Sequence, residues 1–455
     1  MLTVAATRRV PPGPPRRAAP VLLRRLVGDR LEMMRSAAAE YGDAVRISMG
    51  PKTLYFFNHP DHAKHVLADN AANYHKGIGL AQARRALGNG LLTSEGELWR
   101  KQRRQIQPAF QHKRIVQQAG AVAEEAAKLV GRLRAHEGGA PVDVTKEVTA
   151  LTLGVLGRTL LDVDLSAFEA VGHDFEAVQD QAMFDMVTMG MVPGWVPLSK
   201  QLRFRQARQD LQRVVDRLVA ERVSRDAGEI VGEDALSRLI VATRQEPDHK
   251  VARQRMRDEL VTLLLAGHET TASTLGWTFY LADRHPEVMD RLHAEAVEVL
   301  GDRLPEFEDL HRLRYTSMVV EEVMRLYPPV WILPRQAQAD DEVGGYHVPA
   351  GSDVLICPYT LHRHSRFWDD PEQFDPERFD RDRATDRPRY AYIPFGAGPR
   401  FCIGNHLGLL EATFTIAMVA RDLRLRKVPG YRVVAEPMLS LRVRGGLPMT
   451  VHSAG

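Results

Sequence analysis

The residues best able to do chemistry gather around one cysteine. The 455-residue chain has only two, Cys357 and Cys402. That is too few for a disulfide framework and fits a reducing compartment. Cys402 stands in the run Phe395-Gly396-Ala397-Gly398-Pro399-Arg400-Phe401-Cys402-Ile403-Gly404, just ahead of an apolar helical stretch at residues 407–419. Gly396, Gly398 and Gly404 permit tight turns and close approach of a flat ligand. A cysteine at the N-terminal end of a helix, with Arg400 nearby, is favoured as a thiolate. Such a thiolate, accepting amide hydrogen bonds, can bind iron and push electron density through it. Two competing readings fail. A dinucleotide-binding loop needs glycine where Phe401 stands, and covalent c-type haem attachment needs a second cysteine. On this run alone, an inert core cysteine stays open.

Other groups carry complementary chemistry. Ala266-Gly267-His268-Glu269-Thr270-Thr271 sets an acid beside an alcohol. A zinc site of the His-Glu type would need histidine at 272, where Ala272 stands. An adjacent carboxylate and hydroxyl can instead hydrogen-bond a ligand and relay protons. Glu322 and Arg325 lie one helical turn apart and can pair; Arg378 follows in Pro376-Glu377-Arg378-Phe379. Trp99 and Arg103 share a helical face, and Arg335 comes soon after Pro328-Pro329. Guanidinium groups at such positions suit carboxylates.

Together, and in this order, these segments resemble the motifs of the cytochrome P-450 superfamily, in its soluble bacterial form, from residue 40 onward. The resemblance implies heme b, with Cys402 as iron ligand and Phe395, Gly396, Gly404, Ala266 and Gly267 around it. It implies that Gly267 leaves room above the haem, and that Glu269 and Thr270 deliver protons. Trp99, Arg103, Arg335 and Arg400 are expected at the propionates. Glu322, Arg325 and Arg378 are expected to brace the cysteine loop. The implied reaction takes O2 and two NAD(P)H-derived electrons and inserts one oxygen atom into a C–H or C=C bond, a hydroxylation or epoxidation. A peroxygenase or isomerase on the same scaffold, and a non-catalytic haem protein, are the alternatives; the intact Glu269-Thr270 pair argues against both.

The substrate is expected to be lipophilic, of terpenoid, polyketide or fatty acyl type, serving secondary metabolism. Its pocket should draw on residues 73–92, the Pro193 region, Leu263, Ala266, Val330, Trp331, Ile332, Leu333, and residues 438–440, Leu439 among them. Electrons should come from a ferredoxin and ferredoxin reductase as separate chains, because no flavin domain is present. Arg100, Lys101 and Arg104, sharing a helix with Trp99 and Arg103, are the expected docking face. A monomer is expected.

These residues need elements to hold them. The hydrophobic fraction is 44% and the net charge +3. That suits a large core and does not point to nucleic acid. The reading is a mainly α fold with a small β region (α+β), one large domain at residues 21–455 behind a flexible Pro/Arg-rich leader at 1–20. Residues 44–57 read as a hairpin about Gly50-Pro51, and residues 73–92 as irregular. Residues 97–229 read as helical arms broken near Pro193. Residues 344–358 read as a hairpin turning at Pro349-Ala350-Gly351. The apolar stretch 260–282 is long enough to span a membrane, but His268 and Glu269 at its centre would be costly in lipid. It reads as a buried helix. With no secretory signal, a cytoplasmic protein is expected. Cys357 reads as ordinary core.

Overall fold

Asp248 starts the longest helix, its carboxylate accepting the amides of Lys250 at 2.8 Å and Val251 at 3.3 Å. In the computed structural model this helix runs His249–Arg284, about 54 Å at 1.5 Å per residue. The structure describes residues 8–49, 52–165, 170–188, 192–225, 232–244, 246–381 and 386–454. Leu260, Val261, Leu264, Leu275 and Trp277 are buried around this helix; fully burying one such aliphatic side chain contributes about 1.5–3 kcal/mol. Polar groups in its second half are hydrogen-bonded within the protein. Thr274 and Thr278 donate to Thr270 and Thr274 carbonyls one turn back, at 3.1 and 2.8 Å. Ser273 and the Trp277 indole both donate to the Leu441 carbonyl. Among the described residues, no helix is long and apolar enough to cross a membrane.

Helices surround this axis. Val144–Leu156 and Ala170–Val187 lie toward one side of the bundle, the latter packed on Ser199–Arg225. Asn405–Asp422 packs against the central helix, His112–Arg134 and Pro286–Leu300. The fold is the expected mainly α arrangement with a minor sheet region.

The main sheet has five strands in the order Ala44–Met49, Lys52–Phe57, Asp353–Ile356, Leu333–Ala337, Tyr74–Lys76. The first two form the expected antiparallel hairpin; its turn residues Gly50 and Pro51 lie outside the described residues. Two expectations are corrected. Residues 73–92 are not irregular: they contain the edge strand Tyr74–Lys76 and the helix Leu80–Leu87. The strand exists because it pairs with Leu333–Ala337, a partner far away in sequence. The hairpin near 344–358 turns at Gly344-Gly345, with φ of 59° and 78°, not at Pro349-Ala350-Gly351. It joins Asp341–Val343 to Tyr346–Val348, while Asp353–Ile356 leaves to enter the main sheet.

The expected leader is tethered from Arg8 on. The Arg9 and Pro12 carbonyls accept the His347 and Arg46 amides at 2.8 Å, and Arg8 pairs with Asp340. A helix, Ala19–Gly28, follows. The leader's first seven residues lie outside the described residues.

Candidate active site

Glycines shape the cysteine loop. Gly396 and Gly398 adopt φ of 71° and 66°, where a side chain is strained. A Cβ on Gly398 would also lie 1.9 Å from the Leu67 carbonyl oxygen. The Cys402 amide donates to the Phe395 carbonyl at 3.0 Å and closes the loop. Gly404 differs. Its φ is −93°, and a Cβ would meet only the Phe110 ring at ordinary contact distance. What its size keeps open is the cavity it lines.

That cavity measures about 420 Å³ and is mostly apolar. Cys402, Phe395 and Gly396 form one wall. The Cys402 thiol is reached from the cavity, with protein packed closely around it. Burial pushes its pKa up, while the Gly404 amide and the Arg103 guanidinium pull it down. This corrects the expected source of charge. Arg400 is paired with Glu95, so the cation that favours a thiolate is Arg103. Cys357 is buried elsewhere; its thiol donates to the Trp331 carbonyl at 3.2 Å, and burial pushes it up to about 11.

The central helix forms the opposing wall with Leu263, Ala266, Gly267, Glu269 and Thr270. A Cβ on Gly267 would fall 1.9 Å from Leu156 Cδ1. Glycine here therefore lets two helices cross, a reason the sequence reading did not contain. His268 turns away, its ring against the Leu264 carbonyl at 2.6 Å and near Phe175. Burial lowers its pKa. The Glu269 carboxylate takes Gln179 Nε2 at 2.6 Å on one oxygen and the Ser440 hydroxyl on the other. The Thr270 hydroxyl donates to the Ala266 carbonyl at 3.0 Å. Among the described residues, no hydrogen bond joins Glu269 to Thr270.

One end of the cavity is cationic. Lys76, Arg335 and Arg400 all line it. Lys76 and Arg335 are directly opposed across two antiparallel strands, an arrangement that is destabilising for like charges. Burial, then repulsion by Arg335 and Arg400, lowers Lys76 well below its ordinary range; burial, then repulsion by Arg400, brings Arg335 down to about 10. Among the described residues, Glu95 is the carboxylate that offsets them; it binds Arg400 and the Lys76 amide. Arg400 Nη1 is buried with no hydrogen-bond partner. Arg335 and Arg400 against the Glu95 carboxylate, with the buried Lys76 amine beside them, leave a positive potential in a confined space, which calls for an anionic ligand. The carboxylates of haem match that need in sign. The apolar walls and the open thiol suit its ring and its iron.

Trp99 and Arg103, expected at the same end, do not line the cavity. Trp99 lies under Arg400, whose guanidinium carbon is 4.0 Å from a ring centroid, and Arg103 donates to the Phe401 carbonyl at 3.0 Å. They buttress the loop from behind. Lys76 was missed because its neighbour Arg335 is brought to it only by strand pairing.

Glu322, Arg325 and Arg378 come together outside the cavity. Arg325 grips Glu322 through two bonds of 2.7 and 2.8 Å, and Arg378 Nε lies 3.4 Å from the same carboxylate. Arg325 also donates to the carbonyls of His362, Pro371 and Gln373. Both members of the pair are 0% exposed. Backbone of the long 362–375 segment is thus pinned to the helix Arg314–Leu326.

The expected pocket residues Val330, Trp331, Ile332 and Leu439 also line the cavity, and the Trp331 indole is fixed by the Met438 carbonyl at 2.9 Å. The Pro193 region does not. Arg205 holds the Gly194 carbonyl at 2.6 Å, and Trp195 is 76% exposed. Ala182, one helix earlier, takes that place.

The Cytochrome P450 family pattern matches residues 11–442. Cyclooctatin synthase of Streptomyces melanosporofaciens is 37% identical over 404 residues, 88% of this chain and 87% of that protein. Cyclooctat-9-en-7-ol 5-monooxygenase of the same organism is 39% identical over 393 residues, covering 86% and 84%. Pentalenene oxygenase of Streptomyces avermitilis is 31% identical over 426 residues, covering 92% and 91%. The chain belongs to the Cytochrome P450 family: it is a haem-thiolate monooxygenase that uses dioxygen and electrons from redox partners on a hydrophobic substrate.

Proposed function

We propose that this enzyme oxidises a cyclic terpenoid in secondary metabolism, with Cys402 as the iron ligand. The observation that carries the site assignment is the Cys402 thiol opening into an apolar cavity whose far end holds uncompensated cations. The relatives named for cyclooctatin, cyclooctat-9-en-7-ol and pentalenene support the substrate class. The apolar wall formed by Leu263, Val330, Trp331, Ile332 and Leu439 suits such a skeleton.

When bound, the haem supplies the activation of dioxygen, sending one oxygen atom to the substrate and the other to water. The chain does the rest. Arg335, Arg400 and Lys76 would hold the haem propionates, with Trp99 and Arg103 buttressing Arg400 and the loop. Phe395, Gly396 and Gly404 shape the thiolate wall; Ala266 and Gly267 shape the opposite one. Glu269 receives protons from solvent at its carboxylate and Thr270 passes them on from its hydroxyl. Glu322, Arg325 and Arg378 keep the loop in register. Arg100, Lys101 and Arg104 are exposed on the helix that carries Arg103, and an acidic ferredoxin, served by its reductase, docks there. The enzyme acts as a monomer in the cytoplasm.

The test is the reduced, carbon monoxide-treated absorption spectrum, followed by product analysis with cyclic terpenes. The long-wavelength Soret band is expected in the native protein and lost in Cys402→Ser. A band that survives this substitution would overturn the ligand assignment. Oxidation of fatty acids in preference to cyclic terpenes would overturn the substrate.

A further inference from the structure

We infer that Gln179 and Ser440 are positioning residues for proton delivery: they clamp the Glu269 carboxylate between two elements that enclose the substrate. The inference rests on the relay role proposed for Glu269 and adds to it how that acid is controlled.

The geometry is specific. Gln179 is 0% exposed and lies on the helix Ala170–Val187. Its amide nitrogen reaches Glu269 Oε1 at 2.6 Å, and its own Oε1 is buried without a partner. A buried amide oxygen left unsatisfied has a cost. The clamp is therefore not simply the best use of a glutamine in the core. Ser440, 3% exposed, donates to Glu269 Oε2 from the turn between Ala435–Pro437 and Leu441–Val443. Both carboxylate oxygens are thus occupied, each by a different element, and Thr270 is bonded to its own helix.

Both elements also touch the space where substrate sits. Ala182 comes from the first, Met438 and Leu439 from the second. A substrate that displaces either element moves a hydrogen-bond donor away from Glu269. The freed oxygen can then turn toward Thr270 and carry a proton inward. With no substrate, the donors stay in place and the path stays interrupted at that step. The clamp thereby ties proton delivery to occupancy of the cavity, which protects against wasted electrons.

The test compares Ser440→Ala and Gln179→Leu with the native holoenzyme, using a surrogate ferredoxin system. Two quantities are read: product formed per NAD(P)H with substrate held below saturation, where unoccupied enzyme lacking the clamp consumes electrons without product, and the infrared carboxylate stretch identified by its loss in Glu269→Gln. The second needs no turnover. Each variant should shift the band and lower the coupling ratio by about tenfold, the equivalent of about one charge-assisted hydrogen bond. Ser440→Thr, which keeps the hydroxyl, should restore both. A shifted band with unchanged coupling would mean the contacts are only structural and overturns the inference. An unmoved band in both variants overturns it too. If Glu269→Gln itself stays fully coupled, the relay reading fails and takes the clamp with it. If Glu269→Gln uncouples and neither clamp variant does, the relay stands without the clamp.

Discussion

Lys76→Met separates a haem-holding lysine from a merely structural one, because the two predict opposite signs. Lys76 faces Arg335 across the strand pair, with Arg400 close enough to repel both and only Glu95 to offset them. In the haem-free protein this charge is a liability. Burial lowers its pKa well below that of the unfolded chain, so between the two values the unfolded chain binds more protons. Stability of haem-free native protein therefore rises with pH up to about 10, by at most about 1.4 kcal/mol per pH unit for this one group. Lys76→Met removes that slope and raises stability at neutral pH. In the holoenzyme the same substitution removes a charge-assisted contact to a propionate. A contact of that kind is worth about 1.5–3 kcal/mol, or about ten- to a hundredfold in haem affinity. Urea unfolding of haem-free protein at pH 7, 8 and 9 measures the first effect. The rate of haem transfer to an excess of a scavenging protein measures the second. If Lys76→Met destabilises the haem-free protein, or leaves haem loss unchanged, the cationic end of the cavity is not a propionate site.

Three other outcomes are expected. Arg325→Leu strands the buried Glu322 carboxylate and three carbonyls and should cost about 3–5 kcal/mol. Burial already pushes Glu322 up, with Arg325 opposing. Without Arg325 it rises further, so the loss should be smaller at pH 5 than at pH 8 in urea titrations; an equal loss at both would refute the buried-charge account. Thr270→Ala should leave folding intact, since the hydroxyl only back-bonds to Ala266, yet lower product per NAD(P)H at least about tenfold with release of peroxide. Undiminished coupling refutes it. Reversing charge at Arg100 and Lys101 should slow reduction by a ferredoxin, more so at low salt; stopped-flow reduction that is insensitive to both changes rules out that docking face.

The cysteine loop was legible in the chain because its constraints are local. Gly396 and Gly398 need backbone angles few other residues adopt, and Cys402, ahead of an apolar helical run, completes a string that resembles the family's haem-binding motif. The Glu322–Arg325 spacing likewise follows from one helical turn. The polar stretch 267–271 inside an apolar run was readable as buried protein, because a helix of that composition pays heavily in lipid. These features depend on neighbours within a few residues, and those neighbours are written in order. The strand Tyr74–Lys76 and the hairpin at Gly344-Gly345 were not readable in the same way. Three residues such as Tyr74–Lys76 carry almost no periodicity, and their state depended on a partner 259 positions away, as the Lys76–Arg335 pairing counts. The same holds for Gly267, whose missing side chain answers to Leu156, and for the Glu269 clamp, assembled from residues 90 positions before and 171 after it. Local order, with the family resemblance it carries, thus sufficed to nominate the groups for the chemistry. Their charge balance, their hydrogen-bond partners and the outline of the cavity were decided by long-range packing, since burial and Coulomb energy depend on distance in space and not along the chain.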